Sequence, residues 1–273
     1  MKIPLRRLKS LSRIDLEFKM EIAESKKMSE TERIDQIGFG GMKLIQKPDD
    51  FCYGVDAVIL ADFAAKYYKG KDGLFVDLGT GTGILPLILS HKLKPKSIYG
   101  LEVQQGSWKI ACRNAVINGL EDVVSFINDD VKNVGTSWGK DLKGQADLVI
   151  TNPPYFENGG GLKNCSKPKT IARHETSAGL YDFLSCAAYL LKPKGDLFMI
   201  HRPYRLADIC CFGRENNLEP KELLFVSPKR DAAANLILVH MVKGGGRELR
   251  LLDPVWVYDS EGRYTTEILK AYD

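Results

Sequence analysis

Beyond residue 54 the apolar positions change period again and again, and the changes outline helices alternating with strands. Residues 55–68 have helical spacing, with Val55, Ile59, Phe63 and Tyr67 on one face. Residues 74–78 are a short apolar run of strand length, and 84–93 are an apolar helix. The alternation continues with a strand at 97–102, a helix at 105–118 and strands at 123–127 and 147–151. A helix at 180–191, with Pro193 beyond its end, leads into a fifth strand at 196–201. Strands that are apolar almost throughout, separated by helices, predict a parallel sheet covered on both faces. Two further strands, 222–226 and 235–242, have no long helix between them, which predicts an antiparallel pair at one edge. The expected fold is therefore α/β: a doubly wound, mostly parallel seven-stranded sheet with an antiparallel edge strand. Residues 244–273, opening on three glycines, read as a short tail.

Composition narrows the class. With 44% hydrophobic and 27% charged residues, the 273-residue chain reads as a soluble globular protein. No apolar run reaches the roughly 18 residues of a membrane span, and the basic start is not followed by the apolar segment of a secretory signal. The six cysteines (Cys52, Cys112, Cys165, Cys186, Cys210, Cys211) include no CxxC spacing. That argues against a zinc or other metal site and for a reduced, cytoplasmic compartment.

The net charge of +4 is unevenly spread. Residues 1–27 hold eight Lys/Arg against four acids, so residues 28–273 are formally neutral. The first 27 residues read either as a basic arm that grips RNA, or as a frayed terminus, or as an extension upstream of a start at Met28. Residues 28–273 read as one domain. Any polyanion site on it must come from local clustering of charge.

The first strand runs into Asp77-Leu78-Gly79-Thr80-Gly81-Thr82-Gly83, with a helix directly after it. Glycines at the carboxyl end of a parallel strand let a ligand approach the backbone. A dinucleotide would want GxGxxG; this loop is GxGxG, with an acid two residues before it. Asp77 suits a cationic group, such as the ammonium of S-adenosylmethionine, better than a pyrophosphate. The second strand ends in Glu102, where an acid accepts hydrogen bonds from ribose hydroxyls. The third ends in Asn128-Asp129-Asp130-Val131. Asp130, with Val131 beside it, stands where the adenine amino group would lie, and Asp129 is its rival. Three acids on three successive strand ends resemble the class I S-adenosylmethionine-dependent methyltransferases, which have a Rossmann-like sheet. The resemblance assigns Asp77, Gly79 and Gly81 to the methionine part, Glu102 to the ribose and Asp130 to the adenine, with Thr80, Gly83 and Val131 also expected to bind the cofactor.

The fourth strand runs into Asn152-Pro153-Pro154-Tyr155. Two prolines fix φ, donate no N–H, and push the residue before each into an extended shape. The Asn152 side-chain oxygen and the Pro153 carbonyl can then both face the crevice. Two fixed acceptors suit the two hydrogens of an exocyclic NH₂ group. Holding those hydrogens out of the ring plane frees the lone pair for in-line attack on a methyl. Tyr155 supplies a flat face on which a base can stack. The motif matches the NPPY signature of methyltransferases acting on amino nitrogens: adenine N6, guanine N2, or the glutamine amide of release factors.

Past the motif, Lys163, Lys167, Lys169, Arg173 and His174 form a basic stretch, read either as phosphate contacts or as an ordinary solvated loop. Arg202, in His201-Arg202-Pro203-Tyr204-Arg205, adds cations at the end of the fifth strand. The stretch 51–60, the NPPY motif, Ala172-Arg173-His174-Glu175 and Tyr264-Thr265-Thr266-Glu267 together resemble the bacterial tRNA1(Val) adenine-N6 methyltransferase family over about residues 30–270. That resemblance implies methylation of an adenine beside the anticodon of a valine tRNA, with Tyr53, Gly54 and Asp56 lying against the cofactor. A loop base can be splayed out at lower cost than a paired one. The competing readings are a release-factor glutamine methyltransferase, a guanine-N2 ribosomal RNA methyltransferase, and a non-catalytic RNA-binding protein. The last should lack one of Asp77, Glu102 or Asn152, and all three are present.

Overall fold

The structure is a computed structural model that describes residues 32–47, 54–155 and 178–273. The basic segment 1–27, Tyr53, and Lys163, Lys167, Lys169, Arg173 and His174 lie outside the described residues.

Two short strands, β1 (Arg33–Gln36) and β2 (Lys43–Gln46), form an antiparallel hairpin. Its turn runs through Gly38, Phe39, Gly40 and Gly41, all at positive φ. Then come α1 (Val55–Tyr67), β3 (Leu74–Leu78), α2 (Ile84–Lys92), β4 (Ser97–Leu101), α3 (Gln105–Ile117), β5 (Val124–Ile127) and β6 (Ala146–Thr151). After the second gap follow α4 (Leu180–Leu190), β7 (Leu191–His201), α5 (Leu206–Glu215), β8 (Leu218–Ser227) and β9 (Leu236–Lys243). Two-residue strands β10 (Arg250–Leu251) and β11 (Val255–Trp256) and a short helix α6 (Thr266–Ala271) close the chain.

The large sheet has the order β10-β8-β9-β7-β6-β3-β4-β5, with β11 also paired to β8. Strands β5, β4, β3, β6 and β7 are mutually parallel. The antiparallel pair expected from the sequence is β8 with β9, toward one side of the sheet. β9 is the reversed strand, inserted between β7 and β8. Alternation along each strand divides the core in two. Phe75, Leu148, Ile150 and Phe198 pack toward α1 and α2. Val76, Val149, Leu197 and Met199 pack toward α4.

The structure adds to the sequence reading at three places. Helix α1 forms where the spacing of Val55, Ile59, Phe63 and Tyr67 predicts it, but Ala57, Val58, Leu60, Ala61 and Ala64 are buried as well as Ile59 and Phe63. It lies between the sheet and other helices, so its small residues are covered too. Residues 244–273 are not a loose tail. β10 and β11 pair in parallel with β8, and Ile268 and Ala271 of α6 are buried in the same core cluster as much of α1. Helix α5 had no counterpart in the sequence reading. Among the described residues, no helix is long and apolar enough to cross a membrane.

Candidate active site

The parallel strands bring their carboxyl ends together, and β3 and β6 are direct neighbours. Leu78 pairs with Thr151, and the Thr151 hydroxyl donates to the Leu78 carbonyl at 2.8 Å. Gly79 and Asn152 are the next residues along, so the glycine loop and the Asn-Pro-Pro-Tyr turn leave the sheet side by side.

Asp77 is fully buried, and neither carboxylate oxygen has a hydrogen-bond partner of normal geometry; nor does the Thr80 hydroxyl. Burial pushes the Asp77 carboxyl up to about 7. The nearby Thr80 hydroxyl moderates the shift, and the charge of Glu102 adds to it. A buried carboxylate without donors is costly unless something else supplies them. The backbone of the loop is fixed by two amides, Gly79 and Thr80, which both donate to the Leu101 carbonyl at 2.9 Å. Gly79, Gly81 and Gly83 all have positive φ. A Cβ on Gly81 would meet nothing within 4 Å, whereas one on Gly83 would strike the Phe126 ring at 2.8 Å. Gly81 therefore faces open space, and Gly83 is packed into the core.

Glu102 is buried at the end of β4. Its two oxygens accept from the amides of Gly81 at 2.9 Å and Gln104 at 2.8 Å. Burial raises its pKa, while amide donors from Gln104, Gly81 and Val103 offset part of the rise. Each oxygen keeps a second lone pair for a ligand hydroxyl. Asp129 and Asp130 differ sharply. Asp129 accepts from the Asp130 amide, from Asn133 and from Ser137; despite burial, these bonds hold it below the usual carboxylate range. Asp130 caps a short turn at Val131–Asn133 through Oδ1, with Lys132 Nζ 3.6 Å from Oδ2. Val131 is buried beneath that turn.

At the Asn-Pro-Pro-Tyr turn, Pro153 is buried and Pro154 exposed. The Tyr155 hydroxyl donates to Asn152 Oδ1 at 2.7 Å. The Tyr155 ring stands edge-on to His201, with centroids 5.1 Å apart, and carries the Arg202 guanidinium 4.7 Å from its centre. One face of Tyr155 is thus covered by Arg202, where the sequence suggested an open platform. Burial and the neighbouring Asp56 charge push the Tyr155 pKa up, and Arg202 opposes them. Gly54 is the N-cap of α1, and Asp56 in its first turn is raised by burial against the pull of Arg202. Asp56 is thereby electrostatically part of the Tyr155–Arg202 cluster.

Arg202 also donates to the Asn235 carbonyl at 3.1 Å. It is engaged within the protein, whereas the sequence read it as a cation for substrate. His201 is not a cation either. It is buried, its Nδ1 accepts the Arg202 amide at 2.8 Å, and burial with Arg205 nearby pulls its pKa down to about 4. Among the described residues, no group of three His, Cys, Asp or Glu is arranged for a metal ion.

Sequence reasoning missed Asn114. It is fully buried on α3, accepts from the Ile45 amide at 2.7 Å, and donates to Ile45 O and to Thr82 O in the glycine loop. One turn on, Asn118 pairs with both backbone groups of Lys43. Together the two asparagines act as a substitute strand edge for β2 and tie the hairpin to the glycine loop. Two asparagines four residues apart in a predicted helix were the available signal.

Comparison with known proteins adds to the geometry. The family model described as "Methyltransferase small domain" matches residues 54–206. A protein of Porphyromonas gingivalis (strain ATCC BAA-308 / W83) named tRNA1(Val) (adenine(37)-N6)-methyltransferase is 26% identical over 235 residues, covering 78% of this chain and 88% of that protein. The protein of the same name from Tolumonas auensis is 24% identical over 221 residues, covering 81% and 87%. Among solved structures, a predicted O-methyltransferase, protein Atu636 from Agrobacterium tumefaciens, superposes with a TM-score of 0.61 at 20% identity, over 80% of this chain and 95% of that one. M. jannaschii TYW2 in complex with AdoMet gives 0.54 at 17% identity, over 79% and 87%. At these identities the structural likeness is one of fold.

Proposed function

This chain belongs to the methyltransferase small domain family, and we propose that it transfers a methyl group from S-adenosylmethionine to N6 of an adenine in the anticodon loop of a valine tRNA. The observation that carries the reading is the side-by-side exit of two loops from neighbouring strands. One holds the partnerless buried carboxylate of Asp77, the other Asn152.

The residues fit the cofactor. Asp77 lacks the donors that a cationic amino-acid moiety provides, and Gly81 leaves open space above its backbone. Glu102 is held by two amides with lone pairs to spare for the ribose hydroxyls. Asp130 is the better acid for the adenine amino group, because Asp129 is already engaged by three local donors. When bound, S-adenosylmethionine supplies an electrophilic methyl group.

The protein's part is orientation. Asn152 Oδ1 and the Pro153 carbonyl accept the two amino hydrogens, which turns the nitrogen lone pair toward the methyl. Its neighbour Tyr155 sets the direction of the Asn152 amide. His201 stays neutral at physiological pH and packs the Tyr155 ring without adding charge beside the target base. The nitrogen becomes cationic on methylation and loses its proton to solvent. Adenine is favoured over guanine or a glutamine amide by the names of the curated relatives. A tRNA substrate puts the reaction in the cytoplasm.

The test is incubation with methyl-labelled S-adenosylmethionine and unmodified total tRNA, followed by digestion to nucleosides. Label in N6-methyladenosine is expected. Label in protein alone, or in a guanosine derivative, would overturn the reading.

A further inference from the structure

The end of the sheet that carries the reaction centre continues sideways into a surface of cations and aromatic rings. β11 pairs in parallel with the last residues of β8, Val255 with Val226 and Trp256 with Ser227. β8 runs in the same direction as β7, because both are antiparallel to β9. Trp256 therefore stands at the same end as His201 and Arg202. Arg230, exposed in the loop between β8 and β9, holds its guanidinium 5.4 Å from the centre of the Trp256 ring. Arg202 repeats this arrangement on Tyr155 at 4.7 Å. Its hydrogen bond to the Asn235 carbonyl anchors the far end of the same loop to the reaction centre. Lys229 is exposed next to Arg230, and Tyr204, 57% exposed, follows two residues after Arg202.

The chemistry of Arg230 differs from that of several other arginines in the fold. Arg205, Arg214, Arg250 and Arg263 are each paired with a carboxylate. A guanidinium laid on a ring keeps its N–H edge directed outward, where it can take a phosphate bidentately. A ring beside it offers a face on which any base can stack. Between Asn152 at the end of β6 and Trp256 in β11 the strand order is β6-β7-β9-β8-β11. Four spacings of about 4.8 Å put the two roughly 19 Å apart. That is the reach of a few nucleotides of a single strand whose target base sits at Asn152.

We infer that Lys229, Arg230 and Trp256 form a second RNA-contact surface, which holds the loop strand flanking the target nucleotide. The inference rests on the reading of the substrate as loop RNA. It also accounts for recognition by the catalytic domain's own surface. The one acid in the loop, Asp231, leaves it with a net positive charge.

The test uses the full chain and an unmodified anticodon stem-loop RNA of a valine tRNA, with wild type, a Lys229→Ala/Arg230→Ala double variant, and Arg230→Lys. For the double variant, KM for RNA should rise about tenfold. The log–log salt dependence of binding should become shallower by about 1.4, the release expected for two phosphate contacts on a single strand. Turnover at saturating RNA and S-adenosylmethionine affinity should stay within about twofold of wild type, because neither residue touches the reaction centre. Arg230→Lys, which keeps the charge and loses the flat guanidinium, should recover the salt slope but only part of the affinity. An unchanged RNA KM and salt slope in the double variant, with wild type methylating RNA normally, would overturn the surface and leave the proposed function standing. A wild type that methylates no RNA would fail the substrate reading, and the surface with it, before any variant is compared.

Discussion

The hydroxyl of Tyr155 donates to the side-chain oxygen of Asn152 at 2.7 Å, which couples the two functional ends of the Asn-Pro-Pro-Tyr turn. The bond points the Asn152 amide, while the ring that carries the hydroxyl packs at an angle against His201 and carries the Arg202 guanidinium on one face. Substrate must therefore share the second lone pair of Asn152 Oδ1 or displace the tyrosine.

The two parts of Tyr155 should separate by substitution. Tyr155→Phe keeps the ring and loses only the bond that orients Asn152. One neutral hydrogen bond is worth about 1 kcal/mol, so a fall in kcat of roughly fivefold is expected. Tyr155→Ala also removes the ring. Base stacking contributes about 1–3 kcal/mol, so a further loss, with a raised KM for RNA, is expected. Steady-state kinetics on both variants checks this. Equal losses in the two would mean that the ring contributes nothing.

Asp77 and His201 titrate in opposite senses. Asp77 is held at about 7 against an ordinary 3.8. Across that window the folded protein keeps a proton that the unfolded chain has released. Stability is thus full below the window and falls as pH rises through it, by at most about 1.4 kcal/mol per unit. His201 is held at about 4 against 6.5, so its contribution is present above 6.5 and lost as pH falls toward 4. Over the shared range the two largely cancel in the wild type. Asp77→Asn should unmask the histidine: urea midpoints then rise with pH from about 4 to 6.5, and the variant is more stable than wild type above pH 7. The same variant should bind S-adenosylmethionine about ten- to a hundredfold more weakly, the loss of a charged hydrogen-bond partner. A variant with the wild-type pH profile would contradict the protonated carboxyl.

Gly81 and Gly83 both have positive φ, 56° and 87°, yet their surroundings are opposite. Alanine at 81 meets only the left-handed backbone strain of roughly 1–2 kcal/mol, because its Cβ enters open space. That space is proposed for the cofactor, so cofactor affinity should drop more than stability. Alanine at 83 adds a clash with Phe126 and Ala111, costing about 1–3 kcal/mol more, so its melting temperature should fall furthest. Thermal melts paired with cofactor titrations distinguish the two. Normal cofactor affinity in Gly81→Ala would remove the glycine loop from the site.

What the sequence made legible follows from how local each signal is. Strands β3 to β6 and the apolar half of β7 are short apolar runs, most of them next to a helix, and the glycine loop and the Asn-Pro-Pro-Tyr turn fall on strand ends by counting residues. The β1–β2 hairpin was not legible because its strands have only four residues each, and β1 is largely exposed. Its order comes from Asn114 and Asn118, about seventy residues away. Helix α5 is only ten residues long; Leu206, Ile209 and Phe212 line its core-facing side, a stripe too short to stand out beside the longer helices. The last thirty residues take their order from parallel pairing with β8, which no local pattern encodes. At the site, the acids and Asn152 are proposed from their type and their position at strand ends. The ring contacts of Arg202 and the depressed pKa of His201 depend on burial and neighbours, and read as sequence both residues are simply cations.

The most direct test of the Asn152 acceptor is a pair of measurements on Asn152→Ala: equilibrium binding of S-adenosylmethionine, and single-turnover methyl transfer to unmodified valine tRNA. Removing one preorganised partner of the transition state costs about 2.7–4 kcal/mol, or 10²–10³ in rate. Cofactor affinity within about twofold of wild type, with transfer slowed at least about a hundredfold, is the expected result. Transfer at the wild-type rate, or a loss of cofactor binding equal to the loss of rate, would contradict the role given to Asn152.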